Sequence, residues 1–472
     1  MYDPHRQYRC TIIRGKSQKE MDDLLPAYAK VIEQICPCST EEFDISFNNA
    51  FRQYLPEKQR TKKTLNNHRT EIAGKLFGMY YASVDGVIYE SQRTQKYLED
   101  NDQPAFFKDL CYKMQFPNGM DSISTLLDRI KNKINIRPNS YVLKLLQIAS
   151  KANEQITVKD IAYYVLNSFD VLQGHANPYE VLEFIANDHK KGFKREVVAY
   201  DEEGKSKASS FTIQHIREQL NYLELANLIR ISADKVVTLN EKESKTIELF
   251  VGKFDKKPEF NVYDYDLSLP IKRKEFALRW GYFFSTLSNE ASEFETSVES
   301  LLPETKEQND GKILLNRQNL IEFGDAGEKI VYEYEKKRVA EYSAKLVNKV
   351  IAFGKIKGVG FDIQSIVAEK GENAEFCKYI EVKSTKRFTS PDPDDRLWID
   401  TLNITRNEWI AAKQHCEYYS IYRLYFTKDG VVMFILNNIA EKEKNNEINV
   451  IPVTYRLDFS SKSVDFFKYL EI

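Results

Sequence analysis

Two short segments in the last third of the chain constrain its fold more than any other feature. Asp362 follows a glycine and an aromatic residue in one predicted strand, and Glu381 and Lys383 lie in the next. An antiparallel hairpin centred between Gly371 and Glu372 places Asp362 opposite Glu381 on one face of a sheet. Lys383 is two residues beyond Glu381, so its side chain points to the same face.

This grouping of side chains suits divalent-metal chemistry. Two carboxylates directly across from one another repel, and a bound divalent cation reverses the sign of that interaction. Mg²⁺ needs only one or two carboxylates besides water and phosphate oxygens, and a bound metal ion lowers the pKa of its water. A lysine there can orient or deprotonate the water, or stabilise phosphoryl charge. The pattern predicts Mg²⁺-dependent phosphodiester hydrolysis; an exposed strand with alternating charges is the alternative interpretation.

A predicted helix precedes the two strands and adds a third carboxylate. It opens at Phe323 and continues to about Asn348. Glu328 shares a face with Glu335 and two residues between them, at spacings of three and four. A carboxylate on a buried helix face near the helix start is unusual, so Glu328 is a candidate for the same site.

Four motifs follow one another in this part of the chain. They are Gly324-x-x-Gly327-Glu328, Gly360-Phe361-Asp362-Ile363, Tyr379-Ile380-Glu381-Val382-Lys383-Ser384-Thr385 and Thr405-Arg406-Asn407-Glu408. Their order over residues 319–437 resembles the PD-(D/E)XK nuclease superfamily, in particular the C-terminal nuclease-like domain of many bacterial restriction and phage-defence proteins, although no proline precedes Asp362. The resemblance implies that Asp362, Glu381 and Glu328 bind Mg²⁺ and that Lys383 is the catalytic lysine.

Three further residues are candidates to support this site: Thr385, Asn407 and Glu408. Thr405 is a plausible N-cap for the helix that carries Asn407 and Glu408. These two side chains either contact DNA or the metal shell, or serve only in capping and packing, and the second role is favoured.

The first part of the chain has the order of a winged helix-turn-helix. The predicted helices Ser17–Cys36, Ser39–Leu55 and Thr61–Phe77 precede a hairpin at Met79–Glu90. Polar and basic residues near the start of the third helix suit phosphate and base-edge contacts. The alternative is a solvated basic helix face. The candidate DNA-binding residues are Lys62, Lys63, Asn66, Asn67 and Arg69.

A second module repeats this order. The predicted helix Phe211–Ala226 has an apolar stripe and is followed by two short strands around a turn at Ser232–Lys235. A structural or protein-docking winged helix is the alternative interpretation. The candidate DNA-binding residues here are Gln214, His215, Arg217 and Lys235.

Length and composition set outer limits. A chain of 472 residues is too long for one ordinary core. The formal net charge of -2 requires any DNA-binding surface to be a local patch. No apolar run is long enough to span a membrane, the N-terminus does not resemble a secretory signal, and the six cysteines are scattered, which favours a reducing cytoplasm.

We therefore predict a multidomain α+β protein with N-terminal helical, winged-helix DNA-recognition modules and a C-terminal α/β restriction-endonuclease-like domain with a central mixed sheet. The predicted segments are 1–125 and 126–262 for the two modules, 263–310 for a helical linker and 311–472 for the nuclease domain.

The predicted function is that of a type II restriction endonuclease, which cuts double-stranded DNA at or near a specific sequence. Cutting two strands with one site per chain favours a homodimer, and a cognate methyltransferase would be encoded separately. One alternative is a modification-dependent nuclease or the nuclease subunit of a phage-defence complex; the sequence has no phosphate-loop motif, so a partner would supply ATP use. Another alternative is a non-catalytic winged-helix DNA-binding protein.

Overall fold

The computed structural model describes residues 2–10, 12, 16–197, 199–200, 206–207, 210–303, 326–353, 356, 358–369, 375–395, 398–451 and 456–470, without the side chains of 199–214 and 456. The chain divides into two compact units. The first comprises Met1–Met21, Tyr28–Gln53 and Glu57–Ser300, and the second comprises Asp22–Ala27, Tyr54–Pro56 and Leu301–Ile472. The predicted boundary at 310 lies outside the described residues, and the four predicted segments stay predictions.

The first unit is mainly helical. Its helices are α1 (Gln18–Ile35), α2 (Thr40–Phe51), α3 (Lys62–Asn67, continued as a π-helix over His68–Leu76), α4 (Gln92–Asp100), α5 (Gln103–Lys113), α6 (Ile123–Lys131), α7 (Pro138–Lys151), α8 (Val158–Asp160, continued as a π-helix over Ile161–Leu166), α9 (Phe169–Leu172), α10 (Pro178–Lys190), α11 (Ser210–Leu225), α12 (Ser244–Val251), α13 (Pro270–Ser285) and α14 (Val298–Leu301). Its strands are β1 (Cys38–Ser39), β2 (Tyr80–Ala82), β3 (Val87–Glu90), β4 (Ile156–Thr157), β5 (Ala199–Tyr200), β6 (Ser206–Lys207), β7 (Ile229–Ile231) and β8 (Val236–Leu239). No helix in the described ranges is long and apolar enough to cross a membrane.

The start of this unit follows the predicted order of helices and hairpin. Ser17 caps α1 in a reciprocal capping box with Glu20, and Ser39 caps α2. The hairpin β2–β3 turns at Gly86, whose φ of +79° favours glycine. Strand β3 pairs with both β2 and β1, so the short strand between the first two helices closes a three-stranded antiparallel sheet.

A second sheet of the same order lies further along the unit. Helix α7 is followed by β4, then by α8, and after further segments by α11 and the hairpin β7–β8. Strand β8 pairs with both β7 and β4. The two sheets therefore share one arrangement, in which the early short strand pairs with the last strand of the hairpin.

The second unit is built around a mixed sheet. Its helices are α15 (Ala326–Tyr342), α16 (Arg406–His415) and α17 (Ile439–Lys444). Its strands are β9 (Ile351–Ala352), β10 (Ile363–Ile366), β11 (Cys377–Lys386), β12 (Ile399–Asn403), β13 (Tyr419–Thr427), β14 (Gly430–Asn437), β15 (Asn449–Ile451), β16 (Arg456–Ser460) and β17 (Phe466–Leu470). The main sheet has the order β17-β14-β13-β11-β10-β9, in which β11 and β13 run parallel; β12, β16 and β15 form a second sheet. The predicted mixed α/β character is thus confirmed.

The two faces of the main sheet carry different helices. The hydroxyl of Tyr422 on β13 contacts Glu335 of α15, while Lys383 on β11 contacts Glu408 of α16. Tyr422 pairs in register with Val382, the neighbour of Lys383 along β11. Because neighbouring residues of a strand point to opposite faces, α15 and α16 cover opposite sides.

Two predicted elements have different bounds. Helix α15 ends at Tyr342, and a separate 3₁₀ segment covers Ala344–Lys349, so the helix does not run to Asn348; its predicted start at Phe323 lies outside the described residues. The strand predicted from residue 359 begins at Ile363 because Gly358 and Gly360 have φ values of +92° and +84°, which an extended strand does not allow.

Candidate functional site

The predicted register of the hairpin β10–β11 is confirmed. Ile363 pairs with Ile380, which makes Asp362 and Glu381 the next opposed positions. Asp362 lies immediately before β10 rather than within it, and its backbone N–H donates to the carbonyl of Ile380. The Oδ2 atom of Asp362 accepts the N–H of Val382 at 2.8 Å, so this carboxylate is anchored on the strand that carries Glu381.

Lys383 lies between two carboxylates. Its Nζ atom is 2.6 Å from Glu381 Oε1 and 3.1 Å from Glu408 Oε2. The side chain of Glu381 is 5% exposed and that of Lys383 is 22% exposed. The three side chains therefore form one partly buried charged cluster on the α16 side of the sheet.

The charges in this cluster strongly affect one another. Burial raises the pKa of Glu381 well above its ordinary value; Lys383 opposes this shift, while Asp362 and Glu408 add to it. Burial would lower the pKa of Lys383, but the charges of Glu381 and Glu408 hold it above its usual value. Three carboxylates and one ammonium carry excess negative charge, which favours the arrival of a further cation or proton.

The backbone before Asp362 packs tightly against α16. A Cβ atom on Gly360 would lie 2.7 Å from the carbonyl oxygen of Asn407 and 2.8 Å from Cβ of Ala411. The buried hydroxyl of Tyr419 donates to the carbonyl of Gly360 at 3.0 Å. Tyr419 was missed by the sequence analysis because its position depends on the parallel pairing of β13 with β11, which leaves no local signal.

Three other predicted residues have different placements. Thr385 is buried on β11 and, by alternation, on the face of Glu381. Asn407 is exposed in the first turn of α16. Glu328 is half-buried in the first turn of α15, and its role as a third metal ligand stays a prediction. Among the described residues, no group of three His, Cys, Asp or Glu side chains is arranged to hold a metal ion.

A second buried polar network lies on the opposite face of the sheet. Arg338 donates to both oxygens of Glu335, at 3.0 and 2.7 Å, and Tyr422 donates to the same carboxylate at 2.8 Å. Arg338 also donates to the carbonyls of Ile366 and Val367, which end β10. Burial would raise the pKa of Glu335, but the hydrogen bonds from Arg338 and nearby positive charge hold it below its ordinary value. This network fixes α15 to the strand that follows Asp362.

The first predicted DNA-binding helix presents only part of its candidate set. Lys62, Lys63 and Asn67 are exposed on α3, whereas Asn66 is half-buried and accepts a hydrogen bond from Asn48. Arg69 is 6% exposed and departs from the prediction. Its Nε atom is 2.9 Å from Asp44, and its Nη1 atom donates to the carbonyl of Asp44 and to Asn66. Arg69 therefore joins α2 to α3 inside the unit, and we do not retain it in the DNA surface.

The second candidate set is also divided. Arg217 is exposed on α11, His215 is half-buried, and Lys235 is exposed in the turn between β7 and β8 with a φ of +65°. The side chain of Gln214 lies outside the described residues. The exposed pair Arg217 and Lys235 remains available for DNA contact.

Comparisons with known proteins match both parts of the chain. The family model "Restriction endonuclease BpuJI - N terminal" matches residues 2–280, and "Protein NO VEIN, C-terminal" matches residues 327–436. A solved structure titled "Crystal structure of pyrene- and phenanthrene-modified DNA in complex with the BpuJ1 endonuclease binding domain" is 50% identical and has a TM-score of 0.57; the match covers 60% of this chain and 100% of that chain. The curated proteins contain no match.

Proposed function

The chain belongs to the restriction endonuclease BpuJI N-terminal family, and from this premise we propose that it is a restriction endonuclease that cuts double-stranded DNA at or near a specific sequence with Mg²⁺. In this proposal, the first unit recognises DNA and the second unit, as a PD-(D/E)XK nuclease domain, hydrolyses the phosphodiester.

DNA recognition by the first unit is supported by the similar structure, which covers most of this unit at 50% identity and whose title describes a binding domain in complex with DNA. The two sheets in which β1 pairs with β3 and β4 pairs with β8 support two winged-helix modules. In such modules, the helix before the hairpin enters the major groove. The exposed residues Lys62, Lys63 and Asn67 on α3, and Arg217 on α11, would then face DNA.

The contact of Lys383 with Glu381, with Asp362 in the opposed position, is the single observation that carries the proposed cleavage. The donor set fits Mg²⁺, which takes hard oxygen ligands and needs only one or two carboxylates. Asp362 and Glu381 would hold the ion, with Glu328 as the predicted third carboxylate. Their mutual repulsion, expressed in the raised pKa of Glu381, is what a bound cation relieves.

The chemistry divides among these residues. Mg²⁺, when bound, supplies a water of lowered pKa and neutralises phosphoryl charge. Glu381 and Asp362 orient the reacting phosphate by fixing where the positive charge lies, and the anchoring of Asp362 on Val382 keeps the two carboxylates at a constant separation. Lys383, charged and held by two carboxylates, donates to the attacking water or to a phosphoryl oxygen.

A mapped cleavage assay on methylated and unmethylated plasmid DNA, with and without Mg²⁺, tests this proposal. We expect Mg²⁺-dependent double-strand cleavage at one sequence by the parent chain and none by Lys383→Ala. Lys428→Ala, at the turn between β13 and β14, is the matched control and should cleave as the parent does. Equal cleavage by Lys383→Ala would refute the site assignment.

A non-catalytic DNA-binding protein is the second candidate. It is favoured by one observation: no three ligating side chains in the described ranges are arranged for a metal ion. Tight, sequence-specific DNA binding without nicking in Mg²⁺ or Mn²⁺, on modified and unmodified DNA, would support this candidate. Cleavage restricted to modified DNA would instead indicate a modification-dependent enzyme.

Partners follow from the proposed reaction. One cleavage site per chain cuts one strand, so we propose that the enzyme acts as a homodimer during double-strand cleavage. Protection of host sites would then require a cognate methyltransferase encoded separately.

A further inference from the structure

Glu408 is shared between two structural roles. Its Oε2 atom accepts the backbone N–H of Thr405 at 2.8 Å and lies 3.1 Å from Lys383 Nζ. The first contact belongs to the capping box of α16, in which the Thr405 hydroxyl also accepts the N–H of Glu408. One carboxylate oxygen therefore binds both the start of a helix and the proposed catalytic lysine.

The start of α16 has little freedom to move. Gly360 packs directly against the carbonyl of Asn407, and Tyr419 fixes the carbonyl of Gly360 from the sheet. The backbone that leads into Asp362 and the first turn of α16 are thus packed together. Glu408 consequently stands at a fixed position relative to both Asp362 and Lys383.

Glu381 and Glu408 compete for the same ammonium. The bond to Glu381 is shorter, at 2.6 Å, but Glu381 is also the proposed ligand of a cation. A carboxylate that binds a divalent cation attracts an ammonium less strongly, because its charge is partly neutralised. Glu408 would then be the anion that still holds Lys383.

On the basis of the proposed function, we propose that Glu408 is the positioning residue of Lys383, which keeps the lysine ammonium beside the reacting phosphate when Glu381 is engaged. A residue that serves only in helix capping would stabilise α16 without affecting the lysine. The two roles separate because the capping box has two halves. Thr405→Ala removes the hydroxyl half, whereas Glu408→Gln keeps an acceptor for the Thr405 N–H and removes the charge that holds Lys383.

The first test measures cleavage, Mg²⁺ binding and melting temperature of the parent, Glu408→Gln and Thr405→Ala chains. Loss of an orienting residue of this kind costs about 10- to 100-fold in activity. We expect that loss in the single-turnover cleavage rate of Glu408→Gln at saturating Mg²⁺, with its melting temperature and calorimetric Mg²⁺ affinity unchanged. Thr405→Ala should show the reverse, with a lower melting temperature and a parental rate. A parental rate for Glu408→Gln, or a rate that falls only in step with melting temperature, would overturn the inference.

The second test does not depend on cleavage. Acetylation of Lys383 in metal-free protein, followed by mass spectrometry of its peptide, reports how firmly the ammonium is held. Labelling should be several-fold faster in Glu408→Gln than in the parent or in Thr405→Ala. If the parent does not cleave DNA, the proposed function fails, and the labelling still decides whether Glu408 holds Lys383. Equal labelling in all three chains would reject that contact.

Discussion

Replacing Glu335 by Gln should strongly destabilise the second unit, although Glu335 lies on the sheet face opposite the proposed site. Its side chain has no exposed surface and is bound by Arg338 and Tyr422. Removing one partner of a buried ion pair leaves an uncompensated buried charge and costs about 3–5 kcal/mol. The Arg338 side chain is 20% exposed and keeps its bonds to two carbonyls, so we expect about 3 kcal/mol, at the lower end.

The same helix provides a matched control. Glu333 and Lys336 form an ion pair with the same spacing of three residues, at 3.6 Å, and both side chains are 36% exposed. Exposed pairs contribute about 0–1 kcal/mol, so Glu333→Gln should change the stability by less than about 1 kcal/mol. The comparison holds helix, spacing and chemistry constant and varies burial.

Hydrogen exchange of α15 peptides in increasing urea measures the local free energy of opening without requiring the whole chain to unfold in one step. Because the pKa of Glu335 is lowered in the fold, its contribution is present above the unfolded pKa of about 4.3 and is lost as pH falls through the folded value. Glu335→Gln should therefore weaken the dependence of stability on acid. Equal effects of the two substitutions at pH 7 would refute this account of the network.

Three further predictions concern the site and the DNA surface. Gly360→Ala should cost about 2 kcal/mol or more, from its positive φ and the contact with Asn407, whereas Gly430→Ala, with a positive φ and open space around it, should cost less in the same thermal unfolding assay. The double variant Lys62→Ala/Lys63→Ala should weaken DNA binding uniformly across sequences and reduce the salt slope by about 2 in fluorescence anisotropy titrations; an unchanged slope would remove α3 from the surface. Because the pKa of Glu381 is raised, protons compete with Mg²⁺, so Mg²⁺ affinity should fall as pH is lowered and binding should release protons, which calorimetry in two buffers of different ionisation enthalpy detects; an affinity independent of pH between 6 and 8 would contradict this expectation.

Local signals in the sequence predict much of this fold. The serine and threonine caps before α1, α2 and α16 are followed by acidic residues three positions later, and the structure shows their hydrogen bonds. The hairpin β10–β11 was predicted in register because alternation and a short connection leave few other pairings. These features depend on neighbours within a few residues or one turn.

Features that join distant segments were not predicted. Arg69 appeared to be a DNA contact because a helix wheel cannot show that Asp44 on the preceding helix meets its side chain. The contact of Glu408 with Lys383 requires the parallel pairing of β11 and β13. Tyr422 meets Glu335 across 87 positions of sequence. Such contacts depend on which strands become neighbours, and alternation within one strand does not determine that.

Strand β11 holds two unrelated sets of polar side chains by alternation alone. Lys378, on the α15 side, donates to Tyr422 in the buried network, and Glu381 and Lys383 point the opposite way. A codon gained or lost between Lys378 and Glu381 would turn one set into the place of the other, burying the site residues under α15 or exposing the anchor. This strand can therefore diverge by substitution but not by single-residue insertion or deletion, and alignments of related chains should be free of gaps from Lys378 to Lys383.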